Sequence, residues 1–168
     1  MNTTLPVPYR KQQTETSCFP ACIRMILRYY EDDINEKLLH KKGLPSPKEK
    51  HLYFKRDAVY AQILHKRGYK LTAYWNGPIE SWNLSPKQYQ KYKKEYYAAV
   101  KKKVLIHKRN ATIRIIKKYL DNNTPVIAEI LHSAFHYRQR RTWDHAVIIT
   151  GYTQKNLYIH DPDKWEEG

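Results

Sequence analysis

Apolar residues first recur at helical spacing between Cys18 and Tyr30, where Ile23, Met25, Ile26, Leu27 and Tyr30 give a broad face. Pro20 would break a helix interior, but in a first turn its missing N–H costs nothing, so it sets the helix start at Cys18. Ser17 or Thr16 is then the N-cap. A short helix is predicted over 34–42, ended by Gly43 and followed by the loop "LPSPKEK". Another spans 56–66 and closes at Gly68; "YKLTAYW" reads as a strand and "NGPIESWN" as a turn region. Two basic helices are predicted over 85–103 and 111–122, the second ending at "DNN". The remainder is strand-like: "PVIAEIL", "HAVIITGY" and "LYIHDP". Helices come first and strands last, the segregated order of an α+β domain, with no internal repeat and no long linker.

A length of 168 residues fits a single compact domain, 1–168. Five glycines argue against a Gly-rich phosphate loop or a propeller. No apolar run approaches the roughly 20 residues that span a bilayer. The start "MNTTLPVPYRKQQ" lacks the basic-then-apolar layout of a signal peptide, so a cytoplasmic location is the default expectation. Two cysteines make no disulfide framework, and no CxxC or zinc-finger Cys/His spacing occurs, so a structural metal is not expected.

The net charge of +15 invites a nucleic-acid reading, but its distribution matters more than its sum. Residues 84–118 hold twelve Lys or Arg against one acid, Glu95. Tyr89, Tyr92, Tyr96 and Val100 recur there at helical spacing, while Lys87, Lys91, Lys94 and Lys101 fall elsewhere on the helix. A Tyr-rich core stripe with a solvated basic face is the first reading. A docking surface for an acidic partner is the second, and nucleic acid ranks below both.

The last two strands carry the most informative geometry. A hairpin that sets Gly151 opposite Lys155 across a three-residue loop pairs residues whose numbers sum to 306. His145 then lies directly opposite Asp161 on one face, within hydrogen-bonding reach, and His160 lies on the other face. Singly, each of these residues has an ordinary role: a boundary histidine, a turn-forming Asp before Pro162, a buried cysteine. Together with Cys18 and Gln12 they complete a nucleophile, a base, an orienter and an oxyanion donor.

The chemistry requires those types. The thiolate is the nucleophile, and a helix N-terminus and a neighbouring imidazolium both favour it. The carboxylate of Asp161 fixes the tautomer and orientation of His145. A carbonyl attacked by sulfur becomes an oxyanion, for which the Cys18 N–H and the Gln12 side-chain amide are the candidate donors. Cys22, one turn further along the helix, reads as a packed thiol, because i,i+4 helical positions are too far apart for a relaxed disulfide.

In these motifs the chain resembles the papain-like cysteine peptidases of the bacteriocin-processing, double-glycine leader family. Gln12 stands six residues before Cys18 and its run "PACIRMIL"; His145 opens "HAVIITGY"; Asp161 and Pro162 form a "DP" pair sixteen residues later. The resemblance covers the two ends of the chain and leaves the middle unassigned. It implies a papain-like α+β fold and hydrolysis of a peptide or amide bond through an acyl-enzyme, with no cofactor. The same site also suits an acyltransferase or deamidase, and a basic binding module with vestigial residues is a further alternative. Phe19 stands where the family usually has Gly, which puts double-glycine specificity in doubt; Phe19 and Trp143 are expected to contact substrate. The family's frequent companion transporter is not on the chain, and seven residues after Asp161 fall short of the expected domain, so a C-terminal truncation is expected.

Overall fold

The computed structural model describes residues 3–43, 57–74, 85–131 and 144–163. The chain divides into two compact units, Met1–Leu38 with Ile113–Gly168, and Leu39–Thr112.

The first unit is built around one strand. β5 (Asp144–Tyr152) is central, and its residues from His145 to Tyr152 are all buried. That burial matches the near-continuous apolar run Ala146–Ile149. β4 (Val126–Leu131) and β6 (Leu157–His160) both pair with it antiparallel, and β1 (Thr3–Thr4) pairs with its end at Gly151 and Tyr152. Two helices, α1 (Cys18–Tyr29) and α5 (Ile113–Asp121), pack against β5. α1 buries Cys18 through Ile23 in an unbroken row, then Met25 and Leu27. α5 ends where "DNN" predicts, with Asn123 in the left-handed region at φ 54°, which Asn tolerates.

The second unit contains α3 (Asp57–His65), β2 (Leu71–Tyr74), α4 (Pro86–Lys101) and β3 (Leu105–Lys108). β2 and β3 are parallel, joined through α4, and Leu71 lies opposite Leu105. A parallel pair needs such a crossover. Ala58, Ala61, Ala99 and Leu105 form its buried centre, with Leu71, Tyr96 and Val100 packed on it. α4 shows the expected stripe: Tyr92 is buried, while Lys87, Lys91, Lys94 and Lys101 are exposed. α2 (Glu36–Gly43) follows α1 in the chain and includes Gly43 as its last residue.

The α+β class expected from the sequence is found, and the interleaved β2–α4–β3 is an addition to it. The expected hairpin register is not found. Ile148 faces His160 and Ile149 faces Ile159, numbers summing to 308, not 306. Two local features cause the difference. The connection is four residues, Thr153–Asn156, closed by the Thr153 N–H donating to the Asn156 carbonyl at 2.8 Å. The Thr153 hydroxyl also accepts from the Asn156 N–H at 3.0 Å, the local bonding that makes Thr a turn former. A bulge between Ile149 and Gly151 then moves the register by one. The net offset of two is even, so every side chain keeps its face.

Gly151 is where β1 comes closest. A Cβ there would lie 2.3 Å from the Thr3 carbonyl oxygen and 2.9 Å from the Thr4 Cα, both backbone atoms. Gly151→Ala should therefore destabilise the protein by about 1–3 kcal/mol, the usual cost of overpacking. A urea midpoint equal to wild type would show that β1 is not held at this point.

Candidate active site

Ser17 holds the N-cap position of α1 and Cys18 is its first residue, as Pro20 dictates. The capping bond itself is absent: the Ser17 side chain makes no bond to the first-turn amides. Its hydroxyl instead accepts from the Thr14 N–H at 3.0 Å and donates to Glu36 Oε1 at 2.7 Å. Cys18 thus sits, 3% exposed, at the positive end of the α1 dipole.

His145 enters from the start of β5 and is 4% exposed. Its Nε2 lies 2.6 Å from Asp161 Oδ1, and the ring also hydrogen-bonds the Cys18 side chain. Asp161 follows the last residue of β6, and its Oδ1 accepts a second bond from the Asp163 N–H at 2.9 Å. Burial alone would lower the imidazole pKa. Hydrogen bonds to Asp161 and Cys18, together with their negative charges, overcome that and push it up from 6.5 to about 10. The charged imidazolium is thereby favoured beside the Asp161 carboxylate and the Cys18 sulfur.

Gln12 reaches this neighbourhood on the segment that follows β1, along which Leu5 and Val7 are buried. The Leu5 N–H donates to the Thr150 carbonyl at 2.7 Å, and the Gln12 N–H donates to the Pro162 carbonyl at 2.7 Å. Gln12 is therefore fastened beside Asp161 through its backbone, and its side chain is 3% exposed.

The other candidates divide. Cys22 is wholly buried and its thiol lies 3.4 Å from the Ala146 carbonyl. Burial, then the charges of Cys18, Asp161, Glu129 and Glu36, push its pKa well above the ordinary thiol value. Cys18 and Cys22 form no disulfide. His160 lies on the opposite face, edge-on to Tyr9 with ring centroids 5.6 Å apart. Phe19 is buried, 6% exposed. Trp143 lies outside the described residues. Glu36, on α2, is a neighbour of the site that the sequence reading did not single out. Nothing in its local pattern distinguishes it from a solvated acid in a helix first turn. Among the described residues no group of three or more His, Cys, Asp or Glu could hold a metal ion, and no helix is long and apolar enough to cross a membrane.

The sequence model of the Peptidase_C39 like family matches residues 4–168, and the chain belongs to that family. Among solved structures, the chain is similar to a Bacillus anthracis protein classed as a C39-like peptidase. The two are 15% identical over 96% of this chain and 83% of that one, with a TM-score of 0.48. None of the curated proteins matches it. Membership accords with an α+β papain-like fold and a cysteine-peptidase type of function, with a peptide or protein as the class of substrate. The matched span includes the middle of the chain, which the end motifs left unassigned.

Proposed function

We propose that the chain hydrolyses a peptide bond through a thioester acyl-enzyme. Cys18 is the nucleophile, and His145 is the base that later protonates the leaving amine. Asp161 orients and charges the imidazole, and the Gln12 side-chain amide and the Cys18 N–H receive the oxyanion. The observation that carries this reading is the buried His145–Asp161 bond of 2.6 Å on an imidazole that also meets the thiol at the start of α1. A structural His–Asp pair has no need of a thiol at a helix N-terminus. The family match across both units supports reading 1–168 as one peptidase domain.

The pH dependence of alkylation tests the nucleophile. Cys18 stands at the N-terminus of α1 beside the imidazole of His145, and both surroundings favour a thiolate, so iodoacetamide should still label it readily at pH 6. An ordinary thiol, with a pKa of about 8.5, loses roughly tenfold in rate per pH unit below it. Equal and slow labelling of Cys18 and Cys22 at pH 6 would remove Cys18 as the nucleophile. A quenched fluorescent peptide pool should be cleaved by the chain and left intact by Cys18→Ala.

A further inference from the structure

Desolvation disfavours a buried carboxylate unless donors surround it, so one that is buried and only partly served calls for a reason. Glu36 is 1% exposed. Its Oε1 accepts from the Gln13 N–H at 2.8 Å and from the Ser17 hydroxyl at 2.7 Å. Ser17 Oγ in turn accepts from the Thr14 N–H at 3.0 Å. Glu36 Oε2 is buried and meets no hydrogen-bond partner among the described residues. The anchoring runs through one oxygen, and all of it goes to the loop between Gln12 and Cys18. The Gln12 end of that loop is fastened separately, by its N–H on the Pro162 carbonyl. Ser17 gives its side chain to this clamp and makes no bond to the α1 amides.

We propose that Glu36 is a positioning residue for the oxyanion site. It holds residues 13–17 from the protein interior, so that the Gln12 amide and the Cys18 N–H keep a fixed separation and direction. It touches no reacting atom and acts through Gln13 and Ser17. The inference rests on the peptidase reading with Cys18 as nucleophile.

Two reactions of the same sulfur separate this role from a general structural one. Alkylation by iodoacetamide needs the thiolate but no oxyanion site; cleavage of the peptide pool needs both. Glu36→Ala in the full chain should lower kcat by roughly 10–10²-fold with KM little changed, part of the 10²–10³ that one oxyanion donor supplies. Cys18 should alkylate at or above the wild-type rate, since removing a nearby negative charge does not disfavour a thiolate. Glu36→Gln, whose amide oxygen can accept the same two bonds, should restore most of kcat. In a Gln12→Ala background, Glu36→Ala should cost less than it does alone, because only the Cys18 N–H is left for the clamp to position.

Ser17→Ala removes one of the two anchoring bonds without removing the carboxylate, and it serves if Glu36→Ala does not fold. It should lower kcat by about tenfold with alkylation intact. The inference is overturned by parallel losses of alkylation and cleavage, by additive losses in the double variant, or by full kcat in a folded Glu36→Ala or Ser17→Ala. An unsubstituted chain that cleaves no peptide overturns the peptidase reading, and this inference with it, before any substitution is made.

Discussion

Asp161→Asn should lower kcat by roughly 10³–10⁴-fold while the hairpin stays folded. Asp161 Oδ1 accepts from His145 Nε2 at 2.6 Å and from the Asp163 N–H at 2.9 Å. An amide of the same shape can present either its oxygen or its NH2 to the ring, so it can hold the wrong tautomer. It also carries no charge to retain the imidazolium. Both causes that raise the His145 pKa through Asp161 disappear, whereas burial, which lowers it, remains. The alkaline limit of activity should therefore move down from about 10 towards the ordinary histidine value. His160→Ala, on the opposite face against Tyr9, is the control and should leave kcat nearly intact. Single-turnover cleavage of the peptide pool, with circular dichroism to check folding, decides the matter. A folded Asp161→Asn within tenfold of wild type would show that Asp161 does not orient the base.

Gln12→Ala should lower kcat by roughly 10²–10³-fold, the scale of one lost oxyanion donor, with little loss of stability. Gln12 Oε1 is buried without a partner among the described residues, so truncation breaks no bond to that oxygen. The backbone bond to Pro162 does not depend on the side chain and should persist. Alkylation of Cys18 should proceed as in wild type, because the amide acts on the oxyanion and not on the thiolate. Unchanged kcat in a folded Gln12→Ala variant would remove Gln12 from the site.

Much of the site was legible because its residues depend on local rules. Pro20 admits only a first-turn position, which puts Cys18 at the helix start whatever surrounds it. The period of two in a strand puts His145 and Asp161 on one face and His160 on the other. That conclusion survives a register error of two, whereas an error of one would have reversed it. The register itself was not legible. It depends on whether Thr153 bonds within its turn and on a bulge beside Gly151, and neither leaves a mark in the apolar alternation. β3 was also missed. Four residues between two basic helices form a strand only because β2 lies alongside, a non-local pairing that Leu105–Lys108 does not announce. Glu36 was hidden for the same reason: its partners, Gln13 and Ser17, belong to another stretch of chain.

The long loop in sequence between the halves of the site bears on when the protein first becomes reactive. Cys18 precedes His145, Asp161 and the carbonyl that fastens Gln12 in the order of synthesis. On the ribosome, a nascent chain that ends before His145 carries the thiol with no imidazole beside it and no carboxylate behind that. On the proposed assignment, such a chain lacks the base and the orienter that peptide hydrolysis needs. The proposed site is therefore complete only after β5 and β6, which follow α1 in the chain, have been made.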